Sequence, residues 1–194
     1  MAKNKKLINN PYFYFKLRGF TSILVGIYIL LGTILIKAIL TGFITDDSPI
    51  GFLSIQNLAF FIGVITFIIF LLSLLALFFG SRRRARKLGY RIWNKSSKKS
   101  FWQSTLLFLF GYIIFYSLLN HGYQNYIVPT FLICYGFFLS LLNYSKYRSL
   151  YRFTIVSILL GIWTLYFPMY WDYALMGLGL THVSFGVLVR NDSA

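Results

Sequence analysis

Few side chains in this chain of 194 residues could carry out chemistry, and His182 is the strongest candidate among them. An ionisable group inside an apolar segment is by default a functional hypothesis, and an imidazole titrates near neutral pH, as a proton switch requires. A neutral His182 hydrogen-bonded to a neighbouring helix would explain the same position. Since no carboxylate stands in any apolar run to complete a proton relay, we favour the structural interpretation and keep the functional one as the alternative.

Lys37 and the segment 171–173 are the next candidates. The stem of Lys37 can lie along lipid tails while its ammonium reaches the interface, and we favour this interpretation because it needs no special partner. Three carboxylates near the same membrane face could also pair with it: Asp46, Asp47 and Asp172. Trp171 and Tyr173 are typical of an aromatic belt at the membrane interface. The alternative is an outer-face ligand site lined by these two rings, with Asp172 as its charge.

Motifs for catalysis or metal binding are not recognisable in the sequence. It contains no Walker A, HExxH or GxSxG pattern, and no grouping resembles a nucleophile triad. His121 is a poor haem partner for His182, and the histidines and the single Cys134 lack metal-ligand spacing. We therefore expect no cofactor, no metal and no enzymatic activity.

The composition is that of an integral membrane protein. Hydrophobic residues make up 58% of the chain and charged residues only 12%, with a mean hydropathy of +0.68. A soluble domain carries about 25% charged residues, so these few charges cannot cover a water-exposed surface. The apolar runs do not alternate polar and apolar residues as bacterial β-barrel strands do, which favours helices.

Six apolar runs are long enough to be transmembrane helices, and they predict an all-α membrane domain over residues 1–194. The predicted spans are 20–43, 57–80, 101–120, 126–143, 153–170 and 173–189. They group into three helix hairpins, at 20–80, 101–143 and 153–189. A basic and aromatic cytoplasmic segment, 1–19, precedes them, and a basic cytoplasmic loop, 81–100, follows the first hairpin.

The basic residues predict the orientation of these spans. Every Lys and Arg except Lys37 lies in a terminal segment or a loop on one side, and cytoplasmic loops carry the Lys/Arg excess. Both termini are therefore expected inside. The expected location is the inner, plasma membrane of a bacterium, with an organellar inner membrane as the alternative.

The densest basic cluster follows the second span and predicts binding of anionic lipid headgroups, worth about 1 kcal/mol per residue near the surface. It comprises Arg82, Arg83, Arg84, Arg86, Lys87 and Arg91. Nucleic acid could be bound through its phosphates, but the orientation rule already explains the charges, so we do not favour it. Docking of a partner, in a homo-oligomer or a larger membrane complex, stays open.

An internal repeat links the hairpins. SILVGIYIL at 22–30 and SILLGIWTL at 157–165 share six of nine residues. Gly136 follows Gly111 at the same interval as Gly186 follows Gly161, so the second and third hairpins align with a shift of 50. Ser and Gly four residues apart form a small-xxx-small pair that lets helices approach closely.

In the last hairpin, Gly161 is followed by Pro168 and by a return helix with the sequence GLGLTHVSFGVLV. The chain resembles the HdeD-like membrane proteins in this feature and in its layout of three short-looped hairpins. That family is associated with bacterial acid-stress resistance, and its members lack an assigned catalytic site. The first two hairpins of this chain lack that proline, and the segment 45–56 is an addition to the family's layout. The resemblance assigns a functional role to no residue of this chain.

The sequence thus predicts a non-catalytic polytopic inner-membrane protein, either stress-related or an accessory subunit of a membrane complex. The alternative is a pore-forming oligomer or a solute-binding transporter subunit.

Overall fold

In the computed structural model, the described residues are 19–45, 54–91, 93, 95–142 and 148–191. They form six α-helices: α1 Phe20–Thr45, α2 Ile55–Leu88, α3 Lys95–Asn120, α4 Ile127–Leu142, α5 Arg148–Tyr166 and α6 Trp171–Asn191. Two 3₁₀ turns, Gln124–Tyr126 and Pro168–Tyr170, precede α4 and α6. The all-helical prediction is confirmed for this part of the chain. Asp46, Asp47 and the basic N-terminal segment up to residue 18 lie outside it.

Two of the described helices, α1 and α2, are long and apolar enough to cross a membrane. Only 22% and 11% of the residues in their most apolar windows are buried within the protein. Shorter apolar stretches occupy α3, α4 and α5, at Leu109–Asn120, Ile127–Ser140 and Phe153–Tyr166. Large apolar side chains thus face outward along much of the bundle.

Helix α2 continues through the first half of the basic segment that the sequence predicted as a loop. It ends in a Schellman motif, in which Gly89 adopts a φ of 68° and the N–H of Tyr90 donates to the carbonyl of Ala85 at 2.9 Å. Two physical effects explain the extension. Arg, Lys, Ala and Leu are good helix formers, and Arg86 and Lys87 in the last turn complement the negative end of the helix dipole.

The most extensive contacts join α1 to α6 and α4 to α5, so the first and last described helices pack together. In the α1–α6 interface, the hydroxyl of Ser22 donates to the backbone carbonyl of His182 at 2.9 Å. A methyl group at Gly26 would come 2.5 Å from the carbonyl oxygen of Gly179, and one at Gly186 would come 2.7 Å from that of Gly19. The two backbones therefore touch, which only glycine permits at these positions.

The α4–α5 interface repeats this geometry. Ser157 is the counterpart of Ser22 in the sequence repeat, and its hydroxyl donates to the carbonyl of Leu132 at 2.6 Å. Leu132 is the counterpart of His182 under the shift of 50. The small residues correspond as well, since Gly161 packs against Ile133 and Leu132 as its counterpart on α1 packs against α6. The sequence repeat is thus visible as two equivalent antiparallel helix pairs.

We expect Gly26→Ala to lower the free energy of unfolding by about 1–3 kcal/mol, because the added methyl group forces two backbones apart. Thermal unfolding in detergent micelles measures the loss. Gly111→Ala is the matched control, since nothing lies within 4 Å of a Cβ there. Alanine is also the better helix former, so Gly111→Ala should leave stability unchanged or slightly raised. Equal losses in both variants would contradict the close α1–α6 packing.

Candidate functional site

His182 is completely buried on α6, where it contacts three other helices. Its Nδ1 lies 3.2 Å from the hydroxyl oxygen of Ser22 on α1, and its Nε2 lies 2.7 Å from that of Tyr135 on α4. The imidazole stacks on the ring of Phe153 on α5, with centroids 4.9 Å apart and planes 19° from parallel. Four helices therefore meet at the side chain of His182. We call this residue and its three contacts the histidine cluster (Ser22, Tyr135, Phe153 and His182).

One set of hydrogen positions satisfies every polar atom of this cluster. Because the Ser22 hydroxyl donates to the carbonyl of residue 182, its oxygen is free to accept the Nδ1–H of the imidazole. The Nε2 lone pair then accepts the hydroxyl hydrogen of Tyr135. The imidazole is neutral in this assignment, as a group buried among apolar helices should be.

The contact between Ser22 and His182 is not that of an activated nucleophile. In such a pair the serine gives its proton to the imidazole, whereas here the Ser22 hydroxyl hydrogen points to a backbone carbonyl. Ser22 is also completely buried, so no substrate carbonyl could reach its oxygen. The geometry supports helix association rather than acyl transfer.

Packing alone does not require a histidine here. At the equivalent position of the α4–α5 pair stands Leu132, which is also completely buried, and the serine bond to the backbone forms just as well. The equivalent of Tyr135 under the same shift of 50 is Phe185. One interface thus carries an imidazole and a phenol hydroxyl where the other carries apolar groups. The repeat alignment contained this signal, although sequence reasoning did not single out Tyr135.

Lys37 pairs with Asp172 at the other end of the α1–α6 interface, with Nζ and Oδ2 2.5 Å apart. The side chain of Lys37 is 48% exposed, whereas that of Asp172 is only 5% exposed. Lys37 also lies over the ring of Tyr173, 5.3 Å from its centroid. Of the two interpretations for Lys37, the structure thus shows the paired one, and the pairing supplies a cation to a buried carboxylate.

The three residues of the predicted outer-face ligand site, Trp171, Asp172 and Tyr173, are divided between two surroundings. Asp172 is already occupied by Lys37, and consecutive helical residues do not face one another. Trp171 lines a crevice on one side of the bundle, whereas Tyr173 is exposed beneath the lysine. Asp172 and Tyr173 thus share the contact with Lys37, and Trp171 lies apart from them.

The basic cluster occupies the last turns of α2 and the residues after it. Arg83, Arg86, Lys87 and Arg91 are exposed, and Arg82 and Arg84 are half-buried. The surface is therefore open to headgroups or to a partner. No group of three His, Cys, Asp or Glu side chains that could hold a metal occurs among the described residues.

A crevice of about 440 Å³ lies among α1, α2, α3 and α4, and Trp171 and Leu175 of α6 also line it. None of the residues that line it is charged. Three hydroxyl groups in its wall each donate to the carbonyl four residues back on their own helix, at 2.8 Å: Thr33, Thr66 and Ser73. Cys134 and Tyr135 also line it, so the crevice adjoins the histidine cluster.

The spacing between α2 and α3 explains the crevice. The rings of Phe67 and Tyr112 meet edge to face across these helices, with centroids 6.1 Å apart. Gly111 on α3 is the counterpart of Gly161 under the shift of 50. Gly161 packs tightly against α4, whereas Gly111 lines the crevice with open space beside it. Aromatic side chains thus separate α2 from α3, whereas glycines allow close contact in the α1–α6 and α4–α5 pairs.

No family model matches the chain, and no curated protein or solved structure is significantly similar to it.

We expect His182→Leu and Tyr135→Phe to be coupled in a double-mutant cycle. Either single change leaves a buried polar atom without its partner, whereas the double variant removes both. The coupling free energy should be about 0.6–1.7 kcal/mol, between the average and the maximum for interhelical hydrogen bonds in membranes. Reversible unfolding in micelles measures it. Tyr135→Phe paired with Thr66→Val on α2 is the uncoupled control, because Thr66 bonds only within its own helix, and additivity in the His182–Tyr135 cycle would contradict the bond.

Lys37→Met should lower the melting temperature more than Asp172→Asn. The methionine variant leaves a buried carboxylate without a cation, whereas the asparagine variant leaves an ammonium that already reaches the surface. The double variant should recover most of the loss caused by Lys37→Met. A larger loss in Asp172→Asn would show that the lysine, rather than the aspartate, depends on the pair.

Proposed function

We propose that this chain is a non-catalytic polytopic protein of a bacterial inner membrane, or of an organellar inner membrane, with six spans and both termini inside. The observation that carries the proposal is the outward apolar surface of the helices. Phe60, Phe79 and Leu106 are typical of many large apolar side chains that are more than half exposed. A soluble monomer rarely exposes such continuous apolar area, whereas lipid tails cover it at no cost.

The antiparallel packing supports the proposed sidedness. Gly80 at the end of the apolar part of α2 packs on Thr21 at the start of α1, so the basic cluster lies near the beginning of α1. Lys37, with its partner Asp172, lies further along α1, about 24 Å from Thr21 at 1.5 Å per residue. That distance approaches the roughly 30 Å thickness of the hydrocarbon core. Basic residues and the Lys37–Asp172 pair thus fall near opposite membrane faces.

The non-catalytic part of the proposal is supported by the histidine cluster, whose donors and acceptors are all used between helices. The exposed basic cluster supports contact with anionic headgroups or docking in a larger complex, as an accessory subunit. The resemblance to HdeD-like proteins adds a role in acid stress to this proposal.

A solute-binding transporter subunit is the second candidate, and the crevice favours it. Its volume falls within the range of about 300–1,000 Å³ for small-molecule sites. The uncharged walls suit an apolar molecule better than an ion, so they support a binding subunit rather than an ion pore.

Cysteine accessibility in intact cells tests the six-span topology. The single native cysteine is first removed as Cys134→Ser. Tyr123→Cys and Met169→Cys, at exposed positions before α4 and α6, should react with a membrane-impermeant maleimide added outside. Arg86→Cys, at the exposed end of α2, should react only after the membrane is permeabilised. Labelling of all three from one side would contradict the proposed topology.

A further inference from the structure

We propose that the crevice binds one acyl chain of a membrane phospholipid, which enters from the outer leaflet. The inference rests on the membrane-spanning arrangement proposed above and specifies what the protein binds there. This lipid would occupy a defined binding site, unlike the lipids that exchange freely around the bundle.

The shape of the crevice fits an extended chain. Its α2 wall runs from Ile55, at the outer end of the helix, to Ser73. This length of helix spans about 27 Å at 1.5 Å per residue, so the crevice is a long slot rather than a rounded cavity. Leu119 and Asn125 line the same outer end from the α3–α4 side, and Gly111 lines the deeper part.

The chemistry of the walls fits methylene groups. The hydroxyl hydrogens of Thr33, Thr66 and Ser73 are donated within their own helices, so these groups present no donor to a ligand. Since no charged residue lines the slot, its deep part would disfavour a charged headgroup. The exposed Asn125 and the indole of Trp171 stand at the outer end, where amphipathic side chains meet lipid headgroups.

A helix from a second copy does not fit the slot. The ring contact between Phe67 and Tyr112 bridges α2 and α3 with centroids 6.1 Å apart. An α-helix with its side chains is about 10–12 Å wide, so it could enter only by breaking that contact. An acyl chain is narrow enough to lie beside the bridge, and we therefore assign the slot to a lipid chain.

Gly111 provides a selective block. It lines the crevice, and a Cβ atom added there meets nothing within 4 Å, so we expect the ring of Gly111→Phe to extend into the slot and fill it. Ile113→Phe is the matched control, because this residue lies on the same helix and is 65% exposed on the outer surface. Circular dichroism and melting temperature confirm that both variants fold, and Gly111→Leu replaces the larger variant if it does not.

The full-length protein is reconstituted in vesicles of phosphatidylethanolamine and phosphatidylglycerol that contain traces of phosphatidylglycerol with a diazirine on its acyl chain. After irradiation, mass spectrometry of peptides locates the labels. We expect labels on crevice residues such as Thr66, Thr130 and Cys134 in the unmodified protein and in Ile113→Phe. Gly111→Phe should lose these labels and keep those on outward-facing residues such as Phe60.

Labels confined to outward-facing residues would overturn the inference, as would crevice labels that survive Gly111→Phe. These outcomes are separable from failure of the proposed function. If crevice labels are absent but cysteine accessibility is as expected, only the lipid-binding site is contradicted. If all three cysteines are labelled from one side, the six-span arrangement itself is contradicted.

Discussion

The close backbone contact between α1 and α6 is the constraint on which the other features depend. In the membrane setting that we propose, helices gain little from the hydrophobic effect and associate through van der Waals packing and interhelical hydrogen bonds. Gly26 meets Val183 at the centre of this interface. Lys37 lies 11 residues after Gly26 on α1, and Asp172 lies 11 residues before Val183 on α6. Because the two helices are antiparallel and rise equally per residue, the register set by the glycine also brings the ammonium to the buried carboxylate.

The same constraint fixes the surroundings of His182. Its backbone carbonyl accepts the Ser22 bond that the equivalent Leu132 carbonyl accepts from Ser157, so the helix contact forms with either side chain. The imidazole adds a link to Tyr135 on α4, which the equivalent leucine cannot make. His182 therefore adds a hydrogen bond between the α1–α6 pair and the α4–α5 pair, whose buried apolar side chains also pack together.

Local signals in the sequence predicted the helices and the small residues that bring them together. The Ser–Gly repeat marked both tight interfaces, and composition predicted the all-helical class. The partners could not be predicted, because helices that are apolar on all sides lack an amphipathic stripe that shows which face is buried. The pairing of Lys37 with Asp172 and the contact with Tyr135 depend on helix register across long chain separations. The helical extension to Leu88 was missed because charge was interpreted as orientation rather than as helix propensity.

The closely packed helix pairs and the open α2–α3 pair differ in whether they leave room for a bound molecule. Glycines at the α1–α6 and α4–α5 contacts exclude any occupant, because the backbones already touch. Between α2 and α3, the rings of Phe67 and Tyr112 keep the helices apart and leave room beside them. Tyr135 belongs to both regions, since its ring lines the crevice and its hydroxyl bonds to His182. A molecule in the crevice therefore touches a side chain that connects the open interface to the closed ones.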